Sequence, residues 1–368
     1  MKRKGLGKTI VIIITVTFTL TLAVVFRCGL NLYDRLNSMD KRFDGIESQL
    51  KDINEKIGKE KNTDITETTN NEVDNNPGRM AFVCWGDSLT EGRQGGFDVA
   101  YPEVIQSTAA SNGYNIEVVN EGAPGENTKD IMARTGAMDL IVTANMVIPM
   151  NQSEVTVPMA YGDGTVATIR HTDYSTDNYF VADANICGVD GMISYEPYIE
   201  EGADMVYYFK RFEEGPEVQV PVGTEVTLST ENMYKDYIPI LFIGTNRGFD
   251  SPEELIKQQE AIINQYNDSD KFIICGLTSG PPEEHAADNK AMAEHWGSHF
   301  VDLRDYLSNP DNLLKYVPEL SDIDRQDLSD GWMPACIMVD STHFNDVGYT
   351  MIGECIYDRL IQLGYIHN

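Results

Sequence analysis

The stretch Met80–Gly92, MAFVCWGDSLTEG, contains an apolar run that stops at an abrupt turn. Residues Ala81–Trp85 are apolar, and Gly86, Asp87 and Ser88 follow at once. A short apolar run that ends at a glycine turn is typical of a buried strand. A serine in this position either begins a helix as a polar residue or serves as a nucleophile at the end of the strand. Residues elsewhere in the chain are needed to distinguish the helix-start role from the nucleophile role.

Apolar runs and helical patterns alternate along most of residues 80–368. The predicted strands are Ala81–Trp85, Ile116–Val119, Ile238–Ile243, Phe272–Cys275 and Phe300–Leu303. The predicted helices are Tyr101–Asn112, Thr128–Thr135, Pro252–Tyr266, Glu283–Trp296 and Asp346–Leu363. This alternation predicts an α/β fold with a parallel sheet covered on both faces, in which Ala81–Trp85 is the first and central strand.

Residues 142–236 interrupt the alternation. They contain short runs of alternating polarity, such as EVQVPVGTEVTLST, separated by Gly, Asn and Asp. This pattern predicts a β-rich insertion, folded as a small sandwich or barrel. Its many tyrosines either belong to the core or line a carbohydrate-binding surface, and we favour the core for most of them.

The N-terminal residues carry the pattern of a membrane anchor. Thr9–Phe26 is an uncharged run, and four basic residues lie within positions 1–8. This predicts a cytoplasmic tail at 1–8, a transmembrane helix at 9–30 and an extracellular remainder. A cleaved secretory signal is the alternative. The length of the run and the lack of a small-residue cleavage site favour the anchor.

Residues 31–58 carry a heptad pattern, and residues 59–79 are polar. The apolar seam consists of Leu32, Leu36, Met39, Phe43, Ile46, Leu50, Ile53 and Ile57. It predicts a coiled-coil stalk, through which the chain could form a homo-oligomer; a single amphipathic helix is the alternative. The Asn- and Thr-rich residues 59–79 are typical of a flexible linker.

Net charge and cysteine spacing limit which ligands and binding partners are expected. The 368-residue chain has a formal net charge of −30. Residues 1–79 hold 13 basic and 11 acidic side chains, whereas residues 80–368 hold 15 basic and 47 acidic ones. Such an acidic domain repels polyanions, so nucleic acid is not an expected partner. The six cysteines include no C-x-x-C pair, so the sequence has no zinc or redox signature. We expect no metal and no cofactor.

Polar residues with catalytic potential follow several predicted strands. In a parallel α/β sheet, ligand-binding and catalytic residues lie at the edge formed by the carboxyl ends of the strands. Ser88 follows the first strand, a glycine-rich turn at 120–128 follows the second, and Asn246 follows Ile238–Ile243. Asp340 and His343 stand three positions apart, just before the last helix.

Together these residues supply the parts of acyl-transfer chemistry. Ser88 would attack a carbonyl, His343 would take its proton, and Asp340 would orient the imidazole. Donors for the developing oxyanion would come from the Ser88 N–H, an N–H of the glycine turn and the Asn246 amide. Asp87 would cap the helix after the strand. The other histidines are expected to lack an acidic partner that orients the ring: His171, His285, His295, His299 and His367.

Four blocks of the sequence resemble the SGNH, or GDSL, hydrolases. In order, they are GDSLTEG from Gly86, NEGAPGENT from Asn120, IGTN ending at Asn246 and VDSTHFNDVGY from Val339. The resemblance covers residues 80–125 and 237–363. It implies a flavodoxin-like, three-layer α/β/α fold with about five parallel strands and metal-independent ester hydrolysis. It also places the oxyanion glycine at Gly125. Arg247 departs from the family, which usually has an acidic residue there.

The sequence thus predicts a membrane-anchored extracellular serine esterase. The resemblance implies a hydrolase domain at 80–141 and 237–368, with the β-rich insertion at 142–236. Family habit and the predicted location suggest O-acyl groups, particularly O-acetyl, on cell-wall or surface carbohydrates. The alternatives are a lysophospholipase or thioesterase acting on lipid acyl esters, and a non-catalytic surface-binding protein.

Overall fold

The computed structural model describes residues 80–92, 99–170, 180–195 and 205–367. The predicted tail (1–8), anchor (9–30), stalk (31–58) and linker (59–79) lie outside these residues. Within the described ranges, no helix has the length and apolar character needed to cross a membrane.

Strands and helices alternate in residues 80–141 and 237–367, and strands dominate the middle of the chain. The strands are β1 (Met80–Gly86), β2 (Ile116–Gly122), β3 (Leu140–Val142), β4 (Met146–Ile148), β5 (Val155–Val157), β6 (Met159–Tyr161), β7 (Phe180–Ile186), β8 (Val189–Tyr195), β9 (Tyr207–Arg211), β10 (Val218–Val220), β11 (Val226–Leu228), β12 (Ile238–Phe242), β13 (Ile273–Cys275) and β14 (Phe300–Val301). The helices are α1 (Ser88–Glu91), α2 (Tyr101–Ser111), α3 (Thr128–Arg134), α4 (Thr230–Met233), α5 (Pro252–Ile263), α6 (Ala286–Trp296), α7 (Leu303–Ser308), α8 (Pro310–Leu313), α9 (Asp322–Asp330) and α10 (Asp346–Gln362).

A five-stranded parallel sheet with the order β14-β13-β12-β1-β2 lies at the centre of this alternating part. The predicted parallel α/β fold with about five strands is therefore confirmed. The prediction that β1 is the central strand is wrong, because β12 occupies the middle position. The chain leaves β1 outward to β2 and then returns to the other side of β1, where three strands follow one another.

The direction of the crossovers places helices on both faces of this sheet. The connection through α2 steps from β1 to β2, whereas those through α5 and α6 step from β12 towards β14. Parallel crossovers are right-handed, so steps in opposite directions place their helices on opposite faces. The order reverses between β1 and β12, and at such a switch point a crevice opens beyond the carboxyl ends of the strands.

Several helix and strand ends differ from the prediction, by up to three residues. The strand predicted at Phe300–Leu303 ends at Val301, because the Asp302 carboxylate accepts the Asp305 N–H at 3.0 Å and caps α7. The predicted helix Glu283–Trp296 begins only at Ala286.

The middle of the chain forms antiparallel sheets with their own apolar core. The largest sheet has the order β11-β7-β8-β9-β5, and two-stranded sheets pair β10 with β4 and β3 with β6. Buried aliphatic residues from these strands, such as Val142, Ile186 and Ile193, form a core separate from that of the parallel sheet. Tyr161 and Tyr207 are buried in it.

Candidate active site

Ser88 stands at the first position of α1, where the chain turns sharply out of β1. Asp87 is the N-cap residue, and its carboxylate accepts the Leu89 N–H at 2.9 Å. A Cβ atom on Gly86 would lie 2.0 Å from Thr90 Oγ1 and 2.6 Å from the Phe242 carbonyl oxygen. Only glycine therefore lets α1 fold back over the strand end. Asp87 performs the predicted capping, so Ser88 is not needed as a cap.

His343 joins Ser88 to Asp340 through its two ring nitrogens. The distance from His343 Nε2 to Ser88 Oγ is 2.9 Å, and that from His343 Nδ1 to Asp340 Oδ2 is also 2.9 Å. An ionised carboxylate only accepts hydrogen bonds, so Nδ1 carries the proton and Nε2 is left to accept from the serine hydroxyl. The structure thus brings together the three residues that the sequence predicts as a triad.

Asp340 is held in its ionised form. Burial opposes the charge, but hydrogen bonds from the His343 and Thr342 N–H groups and from the His343 ring outweigh it, and the pKa of Asp340 is lowered. The two backbone N–H groups reach Asp340 Oδ1 at 2.7 Å and 2.8 Å. The Asp340 side chain is 54% exposed and that of His343 is 23% exposed, so the site is open to solvent.

Asp340 and His343 occupy the tip of a short hairpin. A β-bridge pairs Met338 with Phe344, and the Val339 N–H donates to the His343 carbonyl oxygen at 2.8 Å. Phe344 is fully buried and anchors the hairpin in the core. The next residue, Asn345, caps α10. The hairpin therefore fixes the acid and the base relative to each other.

The predicted oxyanion donors come from three turns at the same sheet edge. The Ser88 and Gly125 N–H groups form no hydrogen bond within the described part of the chain. Asn246 Nδ2 donates to the Glu126 carbonyl oxygen at 3.0 Å. This bond uses one of the two amide hydrogens and leaves the other for a ligand.

Left-handed backbone shapes the turns that contain Gly125 and Asn246, and two hydrogen bonds hold these turns against each other. Gly125 has φ = 78° and Arg247 has φ = 64°, both in the left-handed region. The Thr128 N–H donates to the Arg247 carbonyl oxygen at 3.0 Å. This bond and the one from Asn246 to Glu126 connect the turn after β2 to the turn after β12.

Two cavities adjoin these residues. One of about 490 Å³ lies beside the turn after β12 and the β-rich segment, and is lined by Asn127, Lys129, Tyr161, Thr165, Val166, Thr168, Arg247, Gly248, Phe249, Asp250 and Glu254. The other has about 280 Å³ and is lined by Asp340 together with Gly280, Asp327, Trp332, Met333, Ala335, Met338, Val339 and Ser341. Within the described ranges no three His, Cys, Asp or Glu side chains are grouped to hold a metal ion.

A second serine-histidine-aspartate arrangement lies after β13, and sequence reasoning missed it. Ser279 Oγ lies 3.1 Å from His285 Nε2, and His285 Nδ1 lies 3.5 Å from Asp288 Oδ2. The expectation that the other histidines lack an acidic partner is therefore wrong, also for His295, which contacts Glu260 at 3.0 Å. The sequence signal for this arrangement is the spacing His285-x-x-Asp288, which is Asp340-x-x-His343 in reverse order.

This second arrangement is closed to substrate. Ser279 is 6% exposed, His285 1% and Asp288 5%. Burial lowers the pKa of His285, which favours its neutral form. An ester carbonyl cannot reach Ser279 without a rearrangement of the buried turn. We therefore assign Ser279, His285 and Asp288 a structural role.

Comparisons with known proteins give structural similarity at low sequence identity. No family model matches the chain, and no curated protein matches it. A lipase/acylhydrolase from Enterococcus faecalis is 13% identical, with 78% of this chain and 97% of that chain covered and a TM-score of 0.37. An acetyl xylan esterase is 13% identical, with 76% and 98% covered and a TM-score of 0.36.

A third solved structure is a putative lipolytic protein of the G-D-S-L family from Desulfitobacterium hafniense. It is 14% identical, with 77% of this chain and 100% of that chain covered and a TM-score of 0.35. In its four ordered sequence blocks, and in the side chains that its fold brings together, the chain resembles the SGNH, or GDSL, family of serine ester hydrolases.

Proposed function

We propose that the protein is a serine esterase whose nucleophile is Ser88. The observation that carries the proposal is the bridging position of His343, whose ring nitrogens lie 2.9 Å from Ser88 Oγ and 2.9 Å from Asp340 Oδ2. A histidine held by a carboxylate on one side and a serine hydroxyl on the other is the arrangement that activates serine for acyl transfer.

The proposed reaction has two halves. Ser88 Oγ attacks the ester carbonyl while His343 Nε2 takes its proton, and His343 then returns that proton to the leaving alcohol. A water molecule next attacks the acyl-serine, His343 accepts its proton, and the carboxylic acid leaves as Ser88 regains its hydrogen. In both halves the negative oxygen is stabilised by the Ser88 and Gly125 N–H groups and the free Asn246 amide hydrogen.

For the substrate we propose O-acyl groups, particularly O-acetyl, on cell-wall or other surface carbohydrates. The open position of His343 and Asp340 supports access by a bulky alcohol portion such as a glycan. The 490 Å³ cavity beside Arg247 supports it further, because most of its lining side chains are polar. Polar side chains at such a site suit hydroxyl-rich ligands better than a lipid chain.

A chain-length series separates this proposal from a lipid-directed one. The full-length protein would be assayed with p-nitrophenyl esters from acetate to palmitate, beside acetylated glycans and lysophospholipids. An acetylesterase should have its highest kcat/KM with acetate and release acetate from the glycans. A maximum with long chains would favour a lysophospholipase or thioesterase, and no hydrolysis of any ester would leave the surface-binding alternative.

We also propose that the esterase is displayed outside the cell. In this proposal residues 9–30 anchor the chain in the membrane, residues 31–58 form an oligomeric stalk, and residues 59–79 link it to the hydrolase segments 80–141 and 237–368 with the insertion at 142–236. Extraction of the chain from membranes by carbonate alone would contradict the anchor. Sedimentation of a 30–60 peptide as a monomer would contradict the stalk.

A further inference from the structure

The guanidinium group of Arg170 lies directly against Gly125, the glycine of the proposed oxyanion hole. A Cβ atom on Gly125 would lie 2.9 Å from Arg170 Nη1, 3.3 Å from Cζ and 3.6 Å from Nε. The contact is possible only because residue 125 has no side chain. Arg170 belongs to the β-rich segment, so this segment brings a positive charge to the edge of the site.

A network of hydrogen bonds fixes the backbone that carries Arg170. The Arg170 N–H donates to Glu126 Oε1 at 3.1 Å. Two residues earlier, the Thr168 hydroxyl donates to Asp130 Oδ1 at 2.6 Å and accepts from Asn127 Nδ2 at 3.3 Å. Residues of α3 and its cap therefore hold the backbone of this segment in place.

The guanidinium forms no hydrogen bond and no ion pair with the described residues. Its Nε is buried and has no hydrogen-bond acceptor, and the side chain forms no ion pair with a described carboxylate. This is unusual in residues 80–368, where acidic side chains outnumber basic ones 47 to 15. A buried donor without an acceptor is rare in proteins and marks a group to be explained.

The nearest acidic groups are engaged elsewhere. Glu126 Oε2 accepts from Arg134 Nη1 at 2.9 Å. Asp130 accepts from Thr168, from the Tyr161 hydroxyl and from the Asn127 N–H. Both carboxylates thus accept hydrogen bonds from other side chains, the Arg170 guanidinium forms none with either, and its donors remain for another acceptor.

We propose that Arg170 binds a carboxylate carried by the ester substrate and so makes the enzyme selective for anionic esters. A planar guanidinium with free donors matches a carboxylate in charge and geometry. Its place against Gly125 puts that carboxylate near the carbonyl bound in the oxyanion hole. The carboxylate could belong to the alcohol portion, as in an acylated uronic acid, or to the acyl portion, as in a dicarboxylic half-ester. The inference rests on the proposed esterase function.

Two matched ester pairs test this proposal and distinguish the two positions of the carboxylate. For the alcohol portion, 4-acetoxybenzoate is compared with its neutral methyl ester. For the acyl portion, the 4-nitrophenyl half-ester of adipic acid is compared with 4-nitrophenyl hexanoate. In each pair the ratio of kcat/KM, anionic over neutral, is divided by the ratio of the alkaline hydrolysis rates, which removes intrinsic reactivity.

The full-length wild type is compared with Arg170→Gln, Arg170→Lys and the control Arg325→Gln, whose side chain is 61% exposed on α9. The normalised ratio should exceed one in at least one pair for the wild type. It should fall about 10- to 100-fold in Arg170→Gln, the range expected for a hydrogen bond to a charged group. Arg170→Lys should retain part of the preference, and Arg325→Gln all of it. Because each ratio compares two esters on the same variant, a general change in activity cancels in it, and Arg325→Gln should hydrolyse the neutral esters as the wild type does.

Two outcomes would overturn the inference while leaving the esterase proposal intact. The first is hydrolysis of the neutral esters with no anionic preference in the wild type, which needs no variant to fold. The second is a preference that persists in Arg170→Gln. Failure of the wild type to hydrolyse any ester would instead overturn the esterase proposal and the inference with it.

Discussion

His343 Nε2 lies 2.9 Å from Ser88 Oγ, although 255 positions separate the two residues in the chain. The start of α1 and the hairpin before α10 meet at one edge of the parallel sheet. This juxtaposition depends on the whole hydrolase fold, and the first three predictions test its chemical meaning.

Ser88→Ala should abolish hydrolysis of p-nitrophenyl acetate without unfolding the protein. Alanine removes only the hydroxyl at the first position of α1, while Asp87 still caps the helix. Ser279→Ala is a matched control, because Ser279 also bonds a histidine that contacts an aspartate but is buried. It should retain activity. Activity in Ser88→Ala, or its loss in Ser279→Ala alone, would mean that the wrong serine has been assigned.

Asp340→Asn should lower kcat by roughly 10⁴-fold with little change in KM, the loss found when a triad aspartate is replaced by its amide. The amide cannot hold His343 in the tautomer that leaves Nε2 free to accept the serine proton. Steady-state kinetics with p-nitrophenyl acetate would measure the effect. The control Asp322→Asn changes a fully exposed carboxylate on α9 and should behave as the wild type. A loss below tenfold would exclude Asp340 from the proposed role.

Asn246→Ala should lower kcat by roughly 10²–10³-fold, the loss typical of one oxyanion donor. The side-chain amide supplies one hydrogen to the Glu126 carbonyl oxygen and is proposed to supply the other to the transition state. Asn112→Ala, at an exposed position at the end of α2, provides the control. A rate equal to that of the wild type would show that the amide has only a structural role.

Asp87→Asn should change how stability depends on pH. Burial raises the pKa of Asp87 from 3.8 to about 6. The folded protein thus holds this proton more tightly than the unfolded chain does. The resulting stabilisation is complete below pH 3.8 and is lost as the pH rises through 6. The associated fall in the free energy of unfolding is about 3 kcal/mol at most.

Asparagine caps helices as well as aspartate does but does not ionise, so Asp87→Asn should remove this fall. Urea unfolding at pH 4, 5, 6 and 7 would measure it as the difference between variant and wild type. That difference is needed because burial also raises the pKa of Glu126, to about 7. The control Asp302→Asn alters another N-cap aspartate that is exposed. Parallel pH profiles for Asp87→Asn and the wild type would contradict the assignment.

Local sequence signals predicted much of the fold. β1 and the cap of α1 follow from an apolar run, a glycine and an aspartate that are neighbours in the chain. The position of β1 within the sheet could not be read in the same way, because it depends on which side of β1 the chain returns to after the β-rich segment. Strand order is a property of the assembled sheet, and no residue of β1 encodes it alone.

Sequence blocks also predicted the residues around Ser88, whereas contacts that depend on how a turn folds or a segment docks were missed. Ser279 and His285 approach each other only because the proline-containing turn after β13 folds back on α6. Arg170 meets Gly125 only because the β-rich segment docks on α3 through Asp130 and Thr168. Neither the spacing of Ser279 and His285 nor that of Arg170 and Gly125 indicates that the two residues will touch.

The hairpin that carries both Asp340 and His343 has a mechanical consequence. The acid and the base share one small unit, so a movement of that unit leaves the hydrogen bond between them unchanged. The only joint in the proposed triad lies between this hairpin and the start of α1. A small displacement there would lengthen the distance from His343 Nε2 to Ser88 Oγ and stop the activation of the serine, while the hydrogen bond between Asp340 and His343 is kept. Activity would return with the reverse movement, because that hydrogen bond does not have to form again.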